Sequence, residues 1–332
     1  MLFLGAGASK PFGIPTMKGF TKEILEKFAG GTGKPMLQAI LKRLEDFGFR
    51  EPDIEAIMDV LTARMSPNKA KFSIGPRVVE FAERSIDLTD DEDANILLLA
   101  IESEIEARCA KANFRVSDAY YQQFFDRVPG GKMGTRSGTI PMGFQHIFTT
   151  NYDLCIDSYL RKFDCAKGFV DFSGYGRVFT GDWPVDSDAW TLCKLHGSVD
   201  WYEVGGRITQ LTVAPNASLY DEKIERRMMV YPASEKYALR SPYAECLFYL
   251  RQRLRTEQYC VVVGYSFRDT PINNAFADSL RLNPQLKIFS VSPRAQTHVA
   301  EMEEPLKSKI IPVDAEFGTE SAILGLQHNW NR

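Results

Sequence analysis

Met1-Leu2-Phe3-Leu4-Gly5-Ala6-Gly7-Ala8-Ser9 opens the chain, and how this stretch is read decides the fold. Four apolar residues read as a buried strand. The small residues after them let the backbone turn sharply and come close to a ligand. When a helix follows such a turn, its free N–H groups point at the same spot and favour a pyrophosphate. A plain strand–helix corner asks for the same residues, so the rest of the chain has to choose. Only four residues precede Gly5, so either the first strand is short or the natural start lies further upstream.

Working outward, Gly13-Ile14-Pro15-Thr16 leads into a helix with Met17, Phe20, Ile24, Leu25 and Phe28 on one face, closed by Gly30-Gly31-Thr32-Gly33. Residues 35–128 carry helical periodicity throughout. Leu37, Ile40, Leu41 and Leu44 make one stripe, and Ile54, Ile57, Met58 and Leu61 another, with Asp53 as its N-cap. Asp90-Asp91-Glu92-Asp93 precedes Ile96, Leu97, Leu98, Ile101 and Ile105. Acids at that place favour a helix N-terminus and need no metal to explain them. Residues 129–143 hold five glycines and two prolines and read as a loop or linker.

The pattern then changes. Short apolar runs at 144–150, 192–195, 228–231, 259–263, 286–291 and 309–313 read as strands, and 242–257 as an amphipathic helix. Trp201-Tyr202 and Ile208 flank Gly205-Gly206, so 199–211 reads as a β-hairpin. The near-continuous β-branched run ending in Val261-Val262-Val263 is what the inside of a parallel sheet requires. Strands with helical crossovers give an α/β fold, a parallel sheet with helices on both faces. The expected division is 1–33 with 141–332 as the sheet domain, and 34–140 as an inserted all-helical module.

Composition bounds the function. The chain has 332 residues, 44% of them hydrophobic and 12% aromatic, enough for a sizeable core. Forty basic side chains against 43 acidic ones leave a formal charge of −3, and no long Lys/Arg run suggests direct nucleic-acid binding. Cys109, Cys155, Cys165, Cys193, Cys246 and Cys260 form no C-x-x-C pair, so no zinc ribbon or redox motif is spelled out. Buried thiols in a reducing compartment are the expectation. No run approaches the roughly 18 apolar residues of a membrane span, and no signal-peptide pattern opens the chain. A cytoplasmic protein is expected.

Three segments put polar groups just past strands, where ligands of open α/β sheets gather. In Thr149-Thr150-Asn151-Tyr152-Asp153, the Asn either caps the next helix or orients a ribose hydroxyl or a water, with Asp153 as an acceptor. In Lys194-Leu195-His196-Gly197-Ser198, the His projects into an open turn, either as a structural histidine or as a general base near pH 7. His146, His298 and His328 lack that setting. In Gly264-Tyr265-Ser266-Phe267, the Gly either makes a tight turn or lets backbone approach a phosphate or ribose.

The ordered set Gly5-Ala6-Gly7-Ala8-Ser9, Gly13-Ile14-Pro15, Thr150-Asn151-Tyr152-Asp153, Leu195-His196-Gly197-Ser198 and Gly264-Tyr265-Ser266 resembles the sirtuin superfamily. More narrowly, it resembles the sirtuin-like NAD-hydrolase domains of bacterial anti-phage defence systems. The resemblance covers residues 1–30 and about 144–295. It implies a Rossmann-like NAD-binding domain with a smaller helical module. It further implies that Gly5 to Ser9 cradle the pyrophosphate and that Gly13, Ile14, Pro15 and Thr16 close over the nicotinamide ribose. Asn151 and His196 would be the catalytic pair, with Asp153 meeting the nicotinamide amide. Thr150, Gly264, Tyr265 and Ser266 would line the nucleotide, and Ser292 its adenosine end.

Two departures shape the expected activity. Sirtuin deacylases carry a zinc module with two cysteine pairs, which this chain lacks. They also continue Gly-Ile-Pro with Asp-Phe-Arg, where this chain has Thr16-Met17-Lys18. The implied function is therefore an NAD glycohydrolase without zinc, yielding nicotinamide and ADP-ribose. By analogy it depletes NAD in anti-phage defence, assembles as a homo-oligomer and works with a HerA-type ATPase. The alternatives are a deacylase or ADP-ribosyltransferase using the same pair, or a non-catalytic module that binds NAD or ADP-ribose.

Overall fold

In the computed structural model, the described residues are 1–28, 34–46, 48–49, 52–65, 91–128, 132–135, 138–141, 144–173, 176–184, 189–211, 224–229 and 241–330. Strand β1 (Leu2–Leu4) is followed by two 3-10 turns, Ala6–Ala8 and Lys10–Phe12. Helices α1 (Met17–Phe28), α2 (Lys34–Asp46), α3 (Ile54–Met65), α4 (Asp91–Ala110) and α5 (Phe114–Arg127) come next. Strands β2 (Lys132–Thr135), β3 (Gly138–Pro141) and β4 (His146–Thr149) lead to α6 (Cys155–Leu160). Then follow β5 (Cys165–Ala166), β6 (Phe169–Ser173), β7 (Gly176–Phe179), β8 (Trp190–Lys194), β9 (Gly197–Val204), β10 (Arg207–Leu211) and β11 (Ile224–Met229). The last stretch is α7 (Tyr243–Thr256), β12 (Tyr259–Val263), α8 (Thr270–Leu282), β13 (Lys287–Ser292), α9 (Ala295–Ala300), α10 (Leu306–Lys309), β14 (Ile310–Asp314) and α11 (Glu320–Trp330).

The chain divides into two compact units: Met1–Ile14 with Lys111–Val230 and Lys236–Arg332, and Pro15–Ala110 with Tyr231–Glu235. These boundaries fall elsewhere than the 33/34 and 140/141 divisions expected from the pattern. The reason is packing: α1 lies on α3, within the helical unit, and α5 lies on α6, within the sheet unit.

The sheet unit is built on seven parallel strands in the order β14-β13-β12-β1-β4-β8-β5. Its alternation explains why both faces are covered. Leu2, Leu4, Val261, Val263 and Val291 face one core with Tyr121, Phe125, Tyr159 and Leu326 of the helices. Phe3, Cys260, Val262 and Ile288 face the other, with Cys246, Leu250, Ile272 and Phe276. The chain runs from β1 through β4 to β8 on one side, then crosses to β12 on the other flank of β1. That reversal is a topological switch point, the place at the carboxyl ends of the strands where open α/β sheets gather their ligands.

The expected hairpin at 199–211 is the β9–β10 centre of a five-stranded antiparallel sheet, β11-β9-β10-β7-β6. The glycine-rich 129–143 segment is more than a linker: β2 and β3 pair in it as a two-stranded ribbon, Lys132 opposite Pro141 and Thr135 opposite Gly138. Its residues lack the apolar alternation that marks a strand in sequence.

In the helical unit, the Asp53 carboxylate caps α3 by accepting from Ala56 N at 3.1 Å, and Thr21 Oγ1 accepts from Ile54 N at 2.9 Å. Helix α4 begins at Asp91, inside the acidic cluster. The Asp90 part of that cluster lies outside the described residues. All six cysteines are free thiols, five of them buried. Among the described residues no helix is long and apolar enough to cross a membrane.

Candidate functional site at the strand carboxyl ends

The ladders continue one step past the strand ends and set the loops side by side. Thr150 N donates to Leu4 O at 3.0 Å, Leu195 N to Thr149 O at 2.8 Å, Gly264 N to Val291 O at 2.9 Å and Ala315 N to Ser292 O at 3.1 Å. The segments singled out by sequence therefore leave the sheet from one edge.

The Gly5–Ser9 turn packs directly on the Gly264 turn. Gly5 N donates to Val263 O and Gly7 N to Gly264 O, both at 2.8 Å. A Cβ on Gly7 would lie 2.8 Å from Gly264 Cα, and one on Gly264, where φ is +64°, would lie 2.3 Å from Ala8 N. Backbone meets backbone here, and this alone requires the glycines. Nor does an α-helix follow the turn at once. Ala6, Gly7 and Ala8 form a 3-10 turn, a second one follows, and α1 starts only at Met17, in the other unit. Four orphan N–H groups of an α-helix are not what this turn presents.

What it presents is Ser9. The Asn151 amide donates from Nδ2 to Ser9 Oγ at 2.9 Å and to Gly5 O at 3.0 Å. Ser9 Oγ in turn donates to Asp153 Oδ2 at 2.7 Å. The other carboxylate oxygen, Oδ1, accepts from Cys155 N at 2.9 Å and holds the start of α6. Asn151 N donates to Thr149 Oγ1 at 3.0 Å. Asn151 is thus not the cap of the next helix; its side chain is tied to the first turn, with its Oδ1 acceptor aimed by that tie. Asp153 is buried, while Thr150 and Asn151 are half-buried.

A buried ammonium joins this loop to β8. Lys194 Nζ donates to Asp153 O at 2.5 Å and Tyr152 O at 3.4 Å, and pairs with Asp157 Oδ2 at 3.2 Å. Lys167 Nζ takes the other Asp157 oxygen at 2.6 Å. Burial alone would push the Asp157 carboxyl up; the Lys194 and Lys167 ammoniums outweigh it and hold the group down at about 2. Burial likewise works against the Lys194 ammonium, and the carboxylates of Asp157, Asp200 and Asp153 raise it regardless. Tyr152 O also accepts from Val199 N at 3.1 Å and Ser198 Oγ at 3.3 Å, so the β8–β9 turn and the Asn151 loop are clamped together.

His196 stands in that β8–β9 turn. It is buried, with Nε2 at 2.8 Å from Asp269 Oδ2, and Asp269 is buried as well. Sequence reading missed Asp269. Its only local signal is Asp269-Thr270-Pro271, the signature of a capped helix start. Asp269 indeed caps α8, accepting from Ile272 N at 3.1 Å.

The remaining predicted residues are more dispersed in role. Gly13 is left-handed with φ +88°, and Ile14 packs on the core. Pro15 and Thr16 belong to the helical unit, where Thr16 O accepts from Phe20 N at 2.8 Å. Tyr265 turns its ring into the core, 4.9 Å from Phe3 and 5.0 Å from Phe267. Ser266 is exposed and accepts from Arg268 Nε at 3.2 Å. Ser292, at the end of β13, is buried with no hydrogen-bond partner for its Oγ among the described residues.

Among known proteins, a family model described as a SIR2-like domain matches residues 145–311. No curated protein matches the chain. Solved structures similar to it include a Sir2 homologue in complex with NAD, at 14% identity and TM-score 0.48, with 99% of this chain and 88% of that one covered. A triple mutant of a Sir2 homologue with 2'-O-acetyl ADP ribose is 13% identical, with TM-score 0.47 and coverage of 99% and 91%. A point mutant of a Sir2 homologue with ADP ribose is 12% identical, with TM-score 0.46 and coverage of 99% and 90%.

Proposed function

The chain belongs to the SIR2-like domain family, and on that footing we propose that it is an NAD glycohydrolase, releasing nicotinamide and ADP-ribose. The observation that carries this reading is the tethered Asn151 amide, bonded to Gly5 O and Ser9 Oγ, on the strand end next to that of His196. A module that only bound a nucleotide would need no such aimed amide beside a histidine. Ser292, whose buried hydroxyl has no partner among the described residues, is a fitting contact for the adenosine end.

The chemistry suits a site without strong acids. The nicotinamide ring of NAD is already cationic, so its bond to ribose C1' can break with the electron pair passing to the ring nitrogen. An oxocarbenium-like centre is left on the ribose. Water adds its oxygen to C1' and loses one proton. Asn151 orients the water or the ribose hydroxyls, and His196 takes the proton. Asp153 holds Ser9, and through it Asn151; each of its oxygens keeps a second lone pair with which to meet the nicotinamide amide. Gly5 to Ser9 and Gly264 to Ser266 line the pyrophosphate, and Gly13 and Ile14 the nicotinamide ribose.

In this reading the protein is the NAD-depleting effector of an anti-phage defence system, silent until it assembles with itself or with a HerA-type ATPase. Nicotinamide release, followed by chromatography with and without such a partner, tests it. His196→Ala and Asn151→Ala should each slow release on the order of 10²–10⁴-fold. Wild-type turnover in both variants overturns the assignment.

A further inference from the structure

Asp269 has two carboxylate oxygens with two different duties. Oδ1 accepts from Ile272 N and caps α8, which is all that an N-cap requires. Oδ2 is surplus to capping, and it sits 2.8 Å from the Nε2 of a histidine 73 residues upstream. A carboxylate can only accept at that place, so the ring nitrogen facing it must carry the proton. With the proton on Nε2, the basic lone pair of the neutral ring lies on Nδ1.

The backbone before Asp269 is held as firmly as its side chain. Phe267 adopts φ +52°, a left-handed conformation that a bulky aromatic residue rarely takes. Asn273, in the first turn of α8, donates from Nδ2 to Phe267 O at 2.6 Å and fixes that conformation. The Phe267 ring is buried against Tyr265 and Phe276, at 5.0 and 5.9 Å between centroids. Strain of this kind persists where the surroundings over-determine it, and such places cluster at functional sites. Here it brings the β12–α8 loop to the His196 turn.

We propose that Asp269 is the positioning residue of the site: it fixes the tautomer and the ring orientation of His196, so that Nδ1 is the nitrogen that accepts the proton. The role of Asp269 in turnover rests on the reading of His196 as proton acceptor; its role in fixing the tautomer does not.

Asp269→Asn is the sharpest test, because Asn caps a helix as well as Asp does. With its oxygen kept on Ile272 N, the Asn presents an NH₂ donor to the ring, and the ring must answer with a lone pair on Nε2. The proton then moves to Nδ1. Long-range ¹H–¹⁵N spectra of the full chain read this directly, with only four histidines in the sequence and His196→Ala assigning the signal. The expected result is an Nε2–H tautomer in the wild type and an Nδ1–H tautomer in Asp269→Asn. In nicotinamide release, kcat should fall on the order of 10²-fold or more with little change in KM. Asp269→Ser, which caps but cannot reach the ring, should lose the fixed tautomer while melting as a folded protein. An unchanged His196 tautomer in both variants overturns the proposal, as does wild-type kcat in Asp269→Asn when His196→Ala is inactive. If the wild type releases no nicotinamide at all, the glycohydrolase reading fails, and the tautomer comparison still decides the role of Asp269.

Discussion

Gly197 follows His196 directly and decides where that ring can stand. Its φ is +82°, and a Cβ there would lie 1.9 Å from Met228 O, on the paired strand β11. Two penalties therefore add: the left-handed backbone and a collision with a carbonyl that belongs to a sheet. Gly206, in the β9–β10 turn, separates them, since its φ is +71° but none of the described residues lies within 4 Å of a built Cβ. Gly206→Ala should cost only the backbone strain, about 1–3 kcal/mol. Gly197→Ala should cost clearly more in urea unfolding and should also displace His196, with loss of nicotinamide release. Equal destabilisation by the two substitutions would mean that the β8–β9 turn yields, and that His196 is not held by it. At this scale the sequence marks residues out without showing what they touch. Gly5, Gly7 and Gly264 stand out as small residues at strand ends, yet what they meet is each other's backbone. Asp269 carries a helix-cap signature and nothing that points to His196, because the pairing spans 73 residues and exists only in three dimensions.

Lys194 shows how elements are joined beneath the site. From the last position of β8 it reaches the carboxylate of Asp157 on α6 and the carbonyls of Tyr152 and Asp153 between them. Removing one partner of a buried ion pair costs about 3–5 kcal/mol; here the Tyr152 and Asp153 carbonyls lose their ammonium donor, and Asp157 is left with Lys167. Lys194→Met should lose stability of that order in denaturant titration. Adding Asp157→Leu to it should restore part of the loss, because the buried carboxylate left with Lys167 as its one ammonium partner is gone. A double variant less stable than Lys194→Met alone would contradict this account of the cluster. Element legibility follows the same physics of burial. β1 and β12 are covered on both faces and read as unbroken apolar runs, so their sequence announces them. β6 is an edge strand whose Val170 and Phe172 are exposed, and it lacks the alternation that would have marked it. The β2–β3 ribbon is hidden by its glycines for a related reason: a strand with few side chains to bury has no pattern to display.

For the molecule as a whole, the order of the strands brings the loops after β1, β4, β8 and β12 to one edge of the sheet, whose two faces are both buried. That interior also shelters titratable groups, and these make stability depend on pH. His146, on β4, lies between Thr191 Oγ1 at 2.9 Å and Tyr249 OH at 3.2 Å. Burial, with the Arg253 guanidinium, pushes its ring down from 6.5 to about 3. The unfolded chain therefore takes up a proton near pH 6.5 that the folded chain refuses until about pH 3, and stability falls as pH drops through that window. The slope from this one group is at most about 1.4 kcal/mol per pH unit. Asp157 acts lower down. Its folded value of about 2 lies below the ordinary 3.8, so its contribution is full above that ordinary value and is lost as pH falls toward 2. Acid unfolding should thus begin with His146 and steepen with Asp157. His146→Asn keeps a polar group beside Thr191 and Tyr249 but cannot titrate. In urea midpoints taken from pH 7.5 down to pH 4, it should flatten the decline seen in the wild type between about pH 6.5 and pH 4. The same slope in both proteins would show that His146 is not the group that takes up the proton on unfolding.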